Sequence, residues 1–353
     1  MRIKILINFF VLVFIGSLNS LYPYAYLPDD VPLNKALLIV SHNAAMAKKY
    51  GWIYYQQLGK MEDQWKAGSR GAKVPIMWAQ KRFPIKKSPR IALCHEPNPR
   101  NNCNLTQLQR GGVPARDAES FFKEFAQLLE KNKQDVAVLI LEDYLDDTSK
   151  KSGTSKYTNE EINKRLDEII EKSGLKKYAL KLPPECYPRG NKPTKDWPTV
   201  GTMRKTGKRL IIFTYNANRA KNLPYLNYSK AIFTKTKWEI NILDEIKSNR
   251  CLLEKYIPGA NAFVVEHKDI NSIPKGAKAK ILNIVKKIVP KAREIFETDY
   301  HVVNSKKMIR KRVEQCEKVC NYPPSLITMD MVEIGNGYAA VKEINAKRFG
   351  KLK

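Results

Sequence analysis

The sequence predicts a single α/β domain whose mainly parallel sheet closes into a (β/α)8 barrel. Three observations carry that expectation. Short apolar runs alternate with segments of helical period along the chain, the order of a parallel sheet whose strands are joined by helices. Several of these runs end on a histidine or a carboxylate, and strand C-terminal ends are where a barrel collects its functional groups. Neither GxGxxG nor GxxxxGK[ST] follows the first run, so an open, doubly wound sheet lacks its phosphate-binding turn. No internal repeat and no long Gly/Ser linker divides the chain.

The elements follow in order. Residues 36–41 (ALLIVS) form a buried apolar run that delivers His42 and Asn43 at its end. Residues 72–78 and 90–94 read as two more strands, the second ending at His95. Residues 115–133 repeat apolar side chains at Phe121, Phe125 and Leu128/Leu129, a helical period. The run 136–141 is closed by Glu142 and Asp143. Thr158 and Glu161 make a capping box in front of Ile162, Leu166 and Ile169, which predicts a helix over 158–173. Residues 209–214, 262–266 and 326–331 supply further short strands. Between the last two, Ile281, Ile284, Val285 and Ile288 mark a basic amphipathic helix over 277–296, with Lys278, Lys286, Lys287 and Lys291 on its flanks. It reads either as an outer barrel helix with a solvated face or as a segment resting on an anionic membrane.

Composition narrows the class. The chain has 353 residues, of which 43% are hydrophobic and 10% aromatic, enough for a full core and against a disordered or low-complexity chain. Lys and Arg number 63 against 35 Asp and Glu, a formal charge of +28 that favours a polyanionic partner: nucleic acid, an anionic membrane surface or a phosphorylated substrate. A Lys-rich solvated surface is the plainer account. No DNA- or RNA-reading motif is present, so no specific nucleic acid is expected.

The N-terminus indicates the compartment. Arg2 and Lys4 precede an apolar run over 5–15, and Gly16, Ser17 and Ser20 follow, the order of a secretory signal peptide. Residues 1–25 are therefore expected to direct export, to a periplasm or out of the cell, and 26–353 to form the barrel. Export makes disulfides possible. Cys94 and Cys103 flank a short Pro- and Asn-rich loop and are the easiest pair to bridge. Cys316 and Cys320 lie four apart on an expected helix, an awkward geometry, and Cys186 and Cys251 are isolated. No CxxC pair suggests a metal site.

Of four histidines, two end predicted strands: His42 and His95. Two imidazoles suit phosphodiester cleavage, one taking the proton of an attacking hydroxyl and the other protonating the leaving oxygen. Two structural histidines fit the same placement. His267 follows another strand, where a hydrogen-bonded structural role is the better reading, and His301 lies in a polar connection. Trp197 and Trp238 suit packing or a headgroup rim. Asn104 and Asn227 open glycosylation sequons.

Longer stretches carry a family resemblance. SHNAAM at 41–46, a Gln-containing segment ending in AGSRG at 67–71, LCHE at 93–96 and LILEDY at 139–144 resemble the phosphatidylinositol-specific phospholipase C X-domain superfamily, its secreted plant, fungal and bacterial branch above all. WPTVGTMRKTGKRLIIFT at 197–214 is similar to a stretch of that branch, and SLITMDMVEIGNGYAAVKEIN at 325–345 to its last strand and final helix. The resemblance implies a distorted (β/α)8 (TIM) barrel that cleaves a phosphodiester of an inositol phospholipid or related substrate by acid/base catalysis. It places the catalytic base on His42, the acid on His95, the neighbouring Asn on Asn43 and the carboxylate that orients the base on Asp330. Glu142 falls where metal-dependent members place a calcium-ligating Glu.

One departure from the pattern matters. Two inward positions of the strand after Gly68-Ser69-Arg70 are acidic ligands in calcium-dependent members, or an Asp and an Arg in metal-free ones; here they are Lys73 and Pro75. Neither binds calcium. Asn43 and Glu142 remain as the only matched ligands, too few for a good calcium site, so a metal-independent site is expected. Two readings follow. Either the Lys73 ammonium, paired with Glu142, replaces the missing positive charge on the phosphate, or the pair neutralises a dead site and the barrel binds phosphoinositides or other anionic ligands without cleaving them. Pro75 is also expected at a strand end or a local distortion.

Overall fold

The computed structural model describes residues 27–52, 55–79, 90–94, 115–146, 157–190, 194–238, 242–268 and 300–350. The expected signal segment, His95, Cys103, Asn104 and the basic helix over 277–296 lie outside the described residues.

The chain runs β1 (Leu38–His42), α1 (Met61–Lys66), β2 (Gly71–Ala79), β3 (Arg90–Leu93), β4 (Arg116–Asp117), α2 (Ala118–Lys131), β5 (Ala137–Asp143), α3 (Asn159–Lys172), α4 (Val200–Thr206), β6 (Leu210–Thr214) and α5 (Ala217–Asn222). It continues with β7 (Leu226–Tyr228), β8 (Phe233–Thr236), α6 (Ile242–Lys247), β9 (Leu253–Lys255), β10 (Ala262–His267), α7 (Lys306–Cys320), β11 (Leu326–Met329) and α8 (Gly337–Arg348). The strands β7-β6-β5-β2-β1-β11-β10-β8 lie side by side, every neighbouring pair parallel. This is the strand set of a (β/α)8 barrel. Among the described residues β7 and β8 do not pair, so the ring is open along that seam and the barrel is distorted. No helix among them is long and apolar enough to cross a membrane.

The strand over 90–94 differs from its expectation as a barrel strand. β3 pairs antiparallel with β2, Ile76 opposite Leu93 and Ala79 opposite Arg90, and β4 pairs antiparallel with β3. It is the return arm of a hairpin that extends β2 beyond the barrel, and it brings the chain back toward the mouth, where the Cys94 amide donates to Pro75 O at 3.4 Å. Pro75 sits within β2 rather than at its end. On one edge β2 pairs with β1 at Ala72 and Lys73 and with β3 from Ile76 onward. Pro75 occupies the gap between these partners, where the missing N–H removes no ladder bond.

Alternation along the parallel strands sorts side chains between interior and helix layer. Ala72, Val74, Leu139, Leu141, Leu210 and Ile212 pack outward against Phe121, Phe125 and Leu166 of α2 and α3. Val40, Val138, Ile140, Phe213, Phe233 and Val264 share a second cluster, with Trp197 beside the Phe213 and Phe233 rings at 5.5 and 5.8 Å. Burying one such side chain contributes about 1.5–3 kcal/mol. Gly71 has no room for a side chain: a Cβ there would lie 2.8 Å from both Val138 O and Val40 Cγ2.

Helix signals hold in detail. Thr158 and Glu161 form the reciprocal capping box of α3, with bonds of 3.2 and 2.7 Å. The cysteine pattern is partly revised: Cys251 bridges Cys316, tying the turn after α6 to α7, while Cys186 and Cys320 are buried free thiols. Cys94 is disulfide-bonded. Asn227 is fully buried and donates to Leu180 O and Ile212 O, so its sequon is closed in the folded chain.

Candidate active site

The interior alternation changes character toward the strand C-termini. Above Val40, Ile140, Phe233 and Val264 stand His42, Glu142, Lys235 and Glu266, each two residues further along its strand. Lys73 of β2, Lys268 just past β10, and Thr328 and Asp330 of the β11 end join them. The register makes this one layer: His42 pairs with Lys73, and Glu266 with Thr328.

His42 is held from both sides. Its Nδ1 lies 2.8 Å from Asp330 Oδ1, and the Tyr300 hydroxyl donates to Asp330 Oδ2 at 3.3 Å. Its Nε2 lies 3.2 Å from Lys268 Nζ. An ammonium only donates, so Nε2 accepts; the ring proton then sits on Nδ1 and is donated to Asp330. Gln57 fixes the backbone, its amide donating to His42 O at 2.8 Å and to Met329 O at 2.9 Å. Burial pushes the Asp330 carboxyl up to about 7, against the opposing pull of Lys268 and the Tyr300 hydroxyl. Asn43 adopts φ 47°, a left-handed conformation that asparagine tolerates. Its buried Oδ1 takes no hydrogen bond from any described residue.

Beside the dyad lies an ion cluster centred on Glu266. Lys73 Nζ is 2.9 Å from Glu266 Oε1 and 3.1 Å from Glu142 Oε1. Lys235 Nζ is 3.3 Å from Glu266 Oε1 and 3.0 Å from Glu254 Oε2. Lys268 Nζ is 3.5 Å from Glu266 Oε2, which also accepts from the Thr328 hydroxyl. Burial opposes the Glu266 charge, but Lys268, Lys73 and Lys235 outweigh it and hold the carboxylate well below its ordinary range. Burial likewise opposes the Lys73 charge, and Glu142 and Glu266 outweigh it, holding that ammonium well above its ordinary value. For Lys268 the balance reverses: burial prevails over Glu266, and its ammonium is weakened.

The structure thus brings together His42, Asn43, Lys73, Glu142 and Asp330. His95 lies outside the described residues. Glu266, Lys268, Lys235, Thr328 and Tyr300 were not foreseen. The alternation of Val264, Glu266 and Lys268 on one face is the signal that would have found two of them. Asp143 belongs elsewhere, 3.4 Å from the buried Arg219. Among the described residues the cluster offers calcium too few oxygens: it takes six to eight at short range, and Glu142 and Glu266 are both paired with the Lys73 ammonium.

His267 is structural, as its sequence reading favours. It is fully buried, and its Nε2 bonds Val303 O at 3.0 Å. Burial lowers its pKa from 6.5 to about 4. The unfolded chain takes up this proton near pH 6.5 and the folded chain only near 4, so stability is full above 6.5 and falls as pH drops toward 4. Over that window the expected loss is about 3 kcal/mol. Urea denaturation should show the loss in the wild type and a flatter profile in His267→Gln. Equal slopes would contradict the assignment. Trp197 is a packing residue, whereas Trp238 is 42% exposed and lies 5.3 Å from Lys268 Nζ.

The described strand ends thus set a histidine–carboxylate dyad among lysines. Residues 35–345 match the family described as PI-PLC X 1, and the chain belongs to that family. Similar solved structures include a phosphatidylinositol-specific phospholipase C from Listeria monocytogenes, 14% identical, covering 93% of this chain and 98% of that one, with a TM-score of 0.47. A Staphylococcus aureus phosphatidylinositol-specific phospholipase C is 10% identical, covering 88% and 91%, with a TM-score of 0.47. A Ca2+-dependent enzyme of this type from Streptomyces antibioticus is 12% identical, covering 88% and 98%, with a TM-score of 0.40. No curated protein matches the chain.

Proposed function

We propose that the chain is an exported phosphodiesterase that cleaves an inositol phospholipid or a related anionic phosphodiester by general acid/base catalysis. The observation that carries this reading is the His42–Asp330 dyad, with Nδ1 committed to the carboxylate and Nε2 turned to a cation-lined layer. In the reaction an attacking hydroxyl oxygen bonds phosphorus and passes its proton to Nε2. The phosphorus–oxygen bond to the leaving alcohol breaks, and that oxygen takes a proton from the acid, the role assigned to His95. Asp330 stabilises the imidazolium that forms. Membership of the PI-PLC X family supports the choice of an inositol lipid. The charge of +28 suits approach to an anionic membrane surface. The N-terminal apolar run and the Cys251–Cys316 bridge support export.

With Lys73 between Glu142 and Glu266, the cation chemistry is supplied by lysine. The protein should therefore release soluble phosphorylated headgroup from phosphatidylinositol vesicles equally in chelator and in calcium, and lose this release in His95→Ala. Turnover only with calcium would overturn the metal-free mechanism. The full pairing of Lys73 also favours a second reading, a barrel that binds phosphoinositide without cleaving it. Vesicle binding with intact lipid at every protein concentration is its outcome.

A further inference from the structure

Resting on the phosphodiesterase reading, we propose that Lys268, and not Lys73, is the cation this site offers to the substrate's phosphoryl group. Among the described residues three lysines reach the layer around His42, and their partners separate them. Lys73 touches two carboxylates, Glu266 at 2.9 Å and Glu142 at 3.1 Å, and its side chain is 2% exposed. Lys235 also touches two, Glu254 at 3.0 Å and Glu266 at 3.3 Å. Among the described residues Lys268 meets one carboxylate, at the longer distance of 3.5 Å, and its Nζ also meets His42 Nε2 at 3.2 Å and lies 5.3 Å from the Trp238 ring. An ammonium with two close carboxylates loses both on moving to a phosphate. Lys268 gives up only a long ion pair and one hydrogen bond to the His42 ring. The weakening of its charge by burial agrees, because an environment short of negative charge is one that an arriving anion improves.

Position agrees with charge. His42 Nδ1 is engaged with Asp330, so the attacking hydroxyl must occupy Nε2, the atom that Lys268 Nζ meets at 3.2 Å. A hydroxyl poised for attack lies about 3–3.5 Å from phosphorus. A change in the side-chain torsions of Lys268 therefore carries Nζ from Nε2 to a non-bridging oxygen as the hydroxyl replaces it. Before substrate arrives, the same ammonium selects the tautomer that leaves Nε2 able to accept a proton. During the step Lys268 keeps its protons: the oxygen–phosphorus bond forms, the hydroxyl proton goes to His42, and the leaving oxygen is protonated by the acid. Trp238 lies 5.3 Å from Nζ and supports the cation on the exposed side. Lys73 in turn is a structural cation that holds Glu142 and Glu266 together under the site.

The test uses the full-length mature chain and phosphatidylinositol vesicles in chelator. Lys268→Met, which keeps an apolar stem of similar length, is expected to lower kcat about 10²-fold, the usual effect of removing one oxyanion donor, with a much smaller change in KM. Lys268→Arg should retain more activity than Lys268→Met, and ethylammonium should partly restore Lys268→Ala. Wild-type turnover left unchanged in Lys268→Met would overturn the proposal. Calorimetry with inositol 1-phosphate is the second arm. If the wild type proves inactive on the lipid but binds this probe at least tenfold more tightly than Lys268→Met, the cleavage reading fails and the cation assignment stands. If the wild type proves inactive on the lipid, equal binding by the two proteins, or none by either, overturns the assignment itself.

Discussion

Replacing His42 by alanine is expected to lower phosphodiester turnover by about 10³-fold while leaving the barrel folded. Among the described residues the His42 imidazole is the group with an accepting nitrogen set against a cation layer, its other nitrogen being engaged with Asp330 at 2.8 Å. Removing a positioned general base costs about 10²–10⁴-fold. The backbone at this position does not depend on the ring, because Gln57 holds His42 O and Met329 O together. Circular dichroism and the melting temperature should therefore remain close to wild type while turnover of the lipid collapses. A variant with more than a tenth of wild-type turnover would remove His42 from the mechanism.

The largest expected effect on stability is at Glu266. This carboxylate is 1% exposed and lies within reach of Lys73, Lys235 and Lys268, so neutralising it leaves three ammonium groups facing one another beside Glu142. Breaking a buried ion pair by removing one partner costs about 3–5 kcal/mol. Glu266→Gln keeps the shape and removes the charge, and urea denaturation at neutral pH should show a loss of that size. Glu142→Gln should cost much less, because Glu142 is 13% exposed and serves Lys73 alone among these lysines. Equal stability of Glu266→Gln and wild type would mean that the lysines are not charged together as the geometry requires.

Much of this arrangement was legible in the sequence because two local rules carry it. Short apolar runs closed by polar residues mark β1 and β5 in the sequence, and with them His42 and Glu142. The family resemblance implies Asp330, gives Asn43 a role and singles out Lys73, whose pairing with Glu142 is present at 3.1 Å. The missed part has physical reasons. β7 and β8 span three and four residues, too short for any periodicity to register, so nothing in the sequence singles out Lys235. The run 262–266 stops one residue short of the end of β10 and leaves His267 as the conspicuous residue, whereas His267 points into the helix layer and Glu266 and Lys268 lie on the interior face. β3 resembles a barrel strand in composition, and only its antiparallel register separates a hairpin arm from a ring member. The Cys251–Cys316 bridge joins residues far apart in sequence, which spacing does not reveal.

Lys73 illustrates how far sequence alone carries an electrostatic argument. An unexpected lysine at a position that is acidic or arginine in relatives invites the role of substitute cation. The structure gives its charge to Glu142 and Glu266 and leaves a different lysine facing the base. The count of carboxylates around each ammonium decides between them, and that count depends on which strands are neighbours.

The central claim is that this layer cleaves a phosphodiester without a metal, through His42. Phosphorus NMR of phosphatidylinositol vesicles incubated with the mature protein in chelator tests it most directly. The account predicts that the lipid diester resonance is replaced by that of a soluble phosphorylated headgroup with the wild type, and persists with His42→Ala. A diester resonance unchanged by the wild type at every protein concentration, or lost equally with both proteins, would contradict it.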